Sequence, residues 1–231
     1  MINSETDAVR IRYDRRKSVV EPDRYSPLNP SVWQSMHERQ RAMLQFFAGR
    51  GIMNFVDTKL LEVGCGTGGN LLEFLRLGFQ PENLTGIELL EERVAQANKV
   101  LPVGVIHGGD ANRADIPLTS QDIVFQSVVF SSLLDNSFQA ALAARMWDWV
   151  KPGGGVLWYD FIYNNPNNPD VQGVPVKRIR ELFPSGTLNV RHVTLAPPIA
   201  RRVCRIHPSM YSFFNLLPFL RTHVLCWIQK P

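Results

Sequence analysis

This 231-residue chain predicts an α/β fold: seven strands in a doubly wound, mostly parallel sheet behind an N-terminal helical extension. Short apolar runs alternate with helix-period segments from Thr58 onward. Gly64, Gly66, Gly68 and Gly69 separate the first of those runs from the first helix that follows it. Hydrophobic residues make up 45% and charged residues 20% of the chain, enough apolar content to cover both faces of such a sheet in one domain.

Taken in order, residues 1–50 read as an arm and a cap helix, and residues 51–231 as the sheet domain. The arm is basic over 10–17 and turn-rich through Pro22, Pro27 and Pro30. Ser31 is placed to cap a helix reaching Ala48, stopped by Gly49 and Gly51, with Val32, Met36, Met43, Leu44 and Phe47 on one side. A strand over 59–63 leads to a helix over 69–77 that Gly78 ends, and a strand over 84–88 follows. A helix over 90–101, strands over 103–107 and 121–129, and a helix over 136–150 come next. Lys151-Pro152-Gly153-Gly154 forms its exit turn into a strand over 155–162. The remainder reads as a helix over 174–183, a strand over 188–195, a Pro-broken helical stretch over 198–220 and a closing strand over 222–229.

The charge is unevenly placed. Residues 1–50 carry nine Lys/Arg against six Asp/Glu, residues 51–170 seven against fourteen, and residues 171–231 nine against one. A basic C-terminal quarter suits an anionic small molecule or a membrane surface, and equally a solvated face. No apolar run is long and unbroken enough to span a bilayer, and the polar first twenty residues do not read as a signal peptide. The three cysteines, Cys65, Cys204 and Cys226, show no metal-ligand spacing and predict neither a disulfide framework nor a metal site. A cytoplasmic location is expected, with peripheral membrane contact left open.

In open α/β sheets ligands bind beyond the carboxyl ends of the strands, which directs attention to the segments after Val63, Glu88, His107, Val129 and Ile162. In Leu61-Glu62-Val63-Gly64-Cys65-Gly66-Thr67-Gly68-Gly69-Asn70, Gly64, Gly66 and Gly68 allow a sharp turn and close backbone approach. The helix that follows offers free N–H groups to an anion. Gly64, Gly66 and Gly69 also satisfy the dinucleotide pattern G-x-G-x-x-G, with Glu88 at a suitable distance, so the glycines alone leave a nicotinamide-dependent oxidoreductase open. Glu62-x-Gly64-x-Gly66-x-Gly68 closely resembles the glycine loop of class I S-adenosylmethionine-dependent methyltransferases, where an acidic residue stands two before the first glycine.

That resemblance extends over residues 58–162. It implies a last strand running antiparallel between strands five and six, and S-adenosylmethionine as cofactor. It places Glu62 toward the methionine part or as a residue orienting the loop. Gly64, Cys65, Gly66 and Gly68 are implied in cofactor binding, Cys65 as a small packing residue and not a nucleophile. Glu88, followed by Leu89, would accept both ribose hydroxyls. Gly108-Gly109-Asp110-Ala111 resembles the adenine-binding stretch, with Asp110 accepting from the exocyclic amine and the Ala111 backbone touching the ring. The fourth-strand motif ending in Gln126-Ser127 would face the sulfonium. The turn-rich 165–176, running into a basic helix, resembles methyltransferases of bacterial polysaccharide and secondary-metabolite pathways.

A small-molecule acceptor is expected, with oxygen ahead of nitrogen. Asp160 and His37 are the candidate catalytic side chains: Asp160 leaves the fifth strand near Tyr163 and Asn164, and His37 sits on the cap helix. Lys177, Arg178, Arg191, Arg201, Arg202 and Arg205 form a candidate cationic rim. His192, His207 and His223 have no motif context. Nucleic acid is disfavoured as acceptor, because Gln126-Ser127-Val128-Val129-Phe130 replaces the acidic-Pro-Pro-aromatic tetrad of such enzymes. A non-catalytic cofactor-binding or membrane-surface module is the alternative of another class.

Overall fold

The computed structural model describes residues 4–19, 22–102 and 104–231. Its seven strands are β1 (Leu60–Val63), β2 (Leu84–Glu88), β3 (Ile106–Gly108), β4 (Gln121–Ser127), β5 (Val150–Phe161), β6 (Thr187–Leu195) and β7 (Arg221–Gln229). They form one sheet in the order β3-β2-β1-β4-β5-β7-β6. β1 to β5 pair in parallel, and β7 is antiparallel to both β5 and β6, as the resemblance implied. The topological switch lies between β1 and β4, where crossovers leave toward opposite edges, and a crevice opens there.

Strand alternation sorts the core into two layers. Leu61, Val63, Val124, Val156, Trp158, Val224 and Cys226 pack with Met146 and Trp149 of helix α5 (Asn136–Trp149) and with Ile179 of α6 (Val176–Leu182). Leu60, Ile123, Phe125, Leu157, Tyr159, Leu225 and Trp227 pack on the other face. There they meet Met43, Phe46 and Phe47 of α2 (Pro30–Ala48), Leu71 and Phe74 of α3 (Gly69–Leu77), and Ala97 of α4 (Glu91–Val100). Odd-numbered residues of β5 and β7 therefore look toward α2 near the crevice, and even-numbered ones look away.

Two segments differ from expectation. Helix α1 (Glu5–Val19) replaces the expected arm. Its short apolar set makes no continuous stripe, so its docking rests on polar ties as well as on buried Val9. Glu5 accepts from the Leu134 backbone N–H, and Arg12 donates to the Ser132 carbonyl at 3.0 Å. The expected turn Lys151–Gly154 lies within β5, where Gly153 N–H donates to the Lys230 carbonyl. The Pro-broken stretch resolves into α7 (Pro197–Ile206) and α8 (Met210–Asn215). The expected cap of α2 shifts from Ser31 to Asn29, whose side chain accepts from Ser31 N–H. Val103, the predicted start of the third strand, lies outside the described residues.

Candidate functional site

A cleft of about 1790 Å³ runs along the carboxyl ends of β1, β2, β4 and β5 and the amino end of the antiparallel β7. Its floor is the turn from β1 into α3. Gly64 and Gly68 hold φ of +67° and +85°, and a Cβ at either would stand 2.5 Å from Val129 or Leu101, so both positions require glycine. Gly66, at φ +58°, has no atom within 4 Å of its would-be Cβ and opens onto the cleft. Gly68 is the N-cap of α3 and contributes no lining surface. Cys65 is buried, its sulfur against Gly86 and its thiol pushed well above the ordinary range by burial, which makes it inert packing.

Glu88 closes one side. Its two carboxylate oxygens accept from Gly66 N–H at 2.8 Å and Leu90 N–H at 2.9 Å, which ties the glycine loop to the end of β2. Leu89, Asp110 and Ala111 line the adjoining wall. Asp110 also caps its own turn through a 2.9 Å bond from Asn112 N–H. Over this end lies α1, contributing Thr6, Val9, Tyr13 and Arg16. Tyr13 is held between the guanidinium groups of Arg16 and Arg93, 4.9 and 4.4 Å from its ring centre.

Glu62 is wholly buried beneath the loop and does not line the cleft. One oxygen accepts from Asn70 Nδ2 at 2.6 Å, and the other has no hydrogen-bond partner. Burial is the main cause that pushes its carboxyl up to about 8, partly opposed by Asn70 and Arg39. The consequence for stability has a definite sign. Above the ordinary value of 4.5 the unfolded chain is ionised while the folded one keeps the proton, so stability falls as pH rises toward 8. Asp160 acts in the same direction only up to about 7, which leaves pH 7–8 to Glu62. Urea denaturation should show wild-type stability declining across that interval by up to about 1.4 kcal/mol per pH unit, and Glu62→Gln should flatten the decline. An equal slope in both proteins would place the ionisation elsewhere.

The far end of the cleft is built from residues with no sequence motif. Arg39 of α2 donates to Ser127 Oγ at 3.1 Å and to Asn70 Oδ1 at 2.7 Å, and lies 5.1 Å from the centre of the Tyr159 ring. The arginine thus joins α2, α3, β4 and β5 in one contact. His223 of β7 stacks on Tyr159 at 5.2 Å, and its Nδ1 is 3.0 Å from Thr222 Oγ1. Desolvation first, and the Arg39 charge second, push this imidazole down to about 4, so it is neutral around pH 7. Tyr159 Oη meets Thr194 Oγ1 at 2.9 Å. Val128, a β-branched residue held at φ +60°, marks the end of β4. That conformation costs on the order of 1–3 kcal/mol and persists because the turn is clamped around it.

Besides Glu62, three expected side chains are not at the cleft. Gln126 is spent on that clamp: its amide donates to the Tyr159 carbonyl at 3.2 Å and accepts from Val129 N–H at 3.0 Å. Asp160 is one residue out of phase with Tyr159 and so lies under the opposite face of the sheet. It is fully buried, accepting from Ser131 and Phe161 N–H groups. His37 packs on Trp33, with ring centres 4.2 Å apart, while Met36 and Arg39 of the same helix face the cleft. Of the expected cationic rim only Arg201 lines the cleft. Arg178 is turned onto α5, donating to Gln139 and Asn136, and Arg191 meets Gln45 and the Phe46 ring.

Residues 60–154 match the model of a methyltransferase domain family. No curated protein matches the chain. Among solved structures, an S-adenosylmethionine-dependent methyltransferase from Archaeoglobus fulgidus superposes with a TM-score of 0.58 at 15% identity, over 82% of this chain and 94% of that one. A protein from Pyrococcus horikoshii OT3 gives 0.63 at 13%, over 94% and 99%. A phosphoethanolamine N-methyltransferase from Haemonchus contortus, in complex with S-adenosylmethionine, gives 0.59 at 18%, over 84% and 52%. These identities are low enough that the likeness speaks for the fold. The family match speaks for more, because the glycine loop, Glu88 and Asp110 all fall within it: residues 60–154 are those of a methyltransferase domain, carried on a Rossmann-like fold.

Proposed function

We propose that the protein methylates a small acceptor bearing a negative group, at oxygen in preference to nitrogen, with the cofactor lying from the glycine loop to Asp110 and the acceptor beyond Ser127. One observation carries this reading: the cleft continues past the glycine loop into an end lined by Arg24, Arg39, Arg201 and His223. Two features support the cofactor's fit: the open space at Gly66 and the Glu88 carboxylate at the cleft wall. When bound, S-adenosylmethionine supplies a methyl group already activated by its sulfonium.

The chain's own work is then alignment, exclusion of water and management of one proton. Glu88 accepts from the ribose hydroxyls with the lone pairs its backbone bonds leave over, and Asp110 and Ala111 hold the adenine. Glu62 orients the loop through Asn70. Proper alignment of two reactants is worth ~7–11 kcal/mol of barrier, and the strained, clamped β4 turn supplies a fixed wall for it. In the tautomer in which His223 Nδ1–H donates to Thr222 Oγ1, the neutral ring leaves its lone pair on Nε2, which accepts the hydrogen of an acceptor hydroxyl. That unprotonated imidazole favours oxygen. Nitrogen is the second reading, favoured by a fold neighbour named for an N-acceptor.

Arg24 and Arg201 face the same space, and among the described residues no carboxylate pairs with either. Burial, then Arg24, lowers the Arg201 pKa, as expected for neighbouring guanidinium groups awaiting an anion. With the acceptor identified, kcat/KM should fall with added salt, since screening acts over ~10 Å at 0.1 M. It should fall at least about tenfold in Arg24→Ala, Arg201→Ala, mainly through KM, for the loss of charge-assisted bonds worth ~1.5–3 kcal/mol each. A neutral acceptor whose rate responds to neither change would end the anionic reading.

A further inference from the structure

The segment after the cleft carries a surface that the methyl-transfer reading does not use. Helix α7 buries Ala200, Val203 and Cys204 against Leu195 and Tyr211, and leaves Arg202, Arg205 and Ile206 outside. Beyond it Ile206 is 77%, Phe213 64%, Leu216 71% and Phe219 75% exposed, an unusual density of bare large apolar side chains within fourteen residues. Phe213, Leu216 and Leu217 stand at helical i, i+3 and i+4 spacing, so they share a side. This knuckle is held out rigidly. Tyr211 Oη and Asn215 Nδ2 both donate to Glu38 of α2, at 2.6 and 2.7 Å, and Arg221 donates to the Asn215 carbonyl.

Residues 197–220 contain three arginines and neither Asp nor Glu. We propose that this knuckle docks the enzyme onto an anionic lipid bilayer, Phe213, Leu216 and Phe219 entering the headgroup–acyl boundary while Arg202 and Arg205 meet lipid phosphates. The charge pattern selects this occupant. A two-fold copy of the same patch would bring Arg202 and Arg205 against themselves with no acid to offset them, whereas anionic headgroups complement them. The arrangement of aromatic and aliphatic side chains with flanking arginines is that of interfacial, not spanning, segments. Among the described residues no helix is long and apolar enough to cross a membrane. Because Pro197, Pro198 and Arg201 at the start of α7 line the cleft, docking would set the cleft mouth close to the lipid surface.

The test is sedimentation of the full chain with extruded vesicles of phosphatidylcholine, with and without about one part in four of phosphatidylglycerol. The wild type should pellet with the anionic vesicles, weakly with the neutral ones, and less as salt is added. Phe213→Ser, Leu216→Ser, Phe219→Ser should lower the partition at least about tenfold, and Arg202→Gln, Arg205→Gln should do the same on anionic vesicles only. S-adenosylmethionine affinity, unchanged in both variants, verifies folding. Wild type that stays in the supernatant with both compositions overturns the proposal. So does a wild-type dimer, seen by sedimentation equilibrium without lipid, that the triple serine change dissociates.

Discussion

Glu88→Ala is expected to weaken S-adenosylmethionine binding by at least tenfold while leaving the fold intact. The carboxylate has two duties that alanine removes together. It is placed to accept the ribose hydroxyls, charge-assisted bonds worth ~1.5–3 kcal/mol each, or 10²–10⁴ in affinity for two. It also fixes the loop by accepting Gly66 N–H and Leu90 N–H. Glu88→Gln keeps one acceptor oxygen and the side-chain shape, so its loss should be intermediate. Calorimetric titration of the three proteins checks the order, and an unchanged dissociation constant in Glu88→Ala removes the residue from the site.

The second large effect belongs to His223. His223→Ala should lower kcat about 10²-fold with an oxygen acceptor, the lower end of what a positioned proton acceptor contributes, while cofactor affinity stays at the wild-type level. The pH profile gives an independent reading. An ordinary imidazole would lose its acceptor lone pair as pH falls through 6.5. His223, held down to about 4 by desolvation and Arg39, keeps it, so the wild-type rate should show no break from this residue between pH 5 and 7. Wild-type kcat in His223→Ala would reduce the histidine to a wall of the cleft.

Legibility followed physical locality. Helix α3 and strand β2 fall where the sequence puts them because glycines and apolar runs punctuate both ends. Gly64, Cys65, Gly66, Glu88, Leu89, Asp110 and Ala111 line the cleft because each lies in a contiguous motif at a strand end. The acceptor end obeys no such locality. Arg39, Tyr159 and His223 come together only when the antiparallel pairing of β7 sets His223 beside Phe161. Tyr159 could have been found from β5 alone. Alternation from the buried Trp158 puts Tyr159 and Asp160 on opposite faces, and the cap helix occupies the Tyr159 face. Assigning chemistry to Asp160 took the charged residue over the phase of the strand. Helix α1 was missed because its ties to Ser132 and Leu134 are tertiary, and a charged run with few apolar residues carries no periodic signal of them.

The same glycine spacing that suits a methyltransferase also satisfies a dinucleotide fingerprint, so ligand choice is the most direct test of the whole account. The purified protein, titrated calorimetrically with S-adenosylmethionine, its demethylated product and NAD, should bind the first two and leave NAD unbound. Tight binding of NAD with none of the sulfonium compound would contradict it.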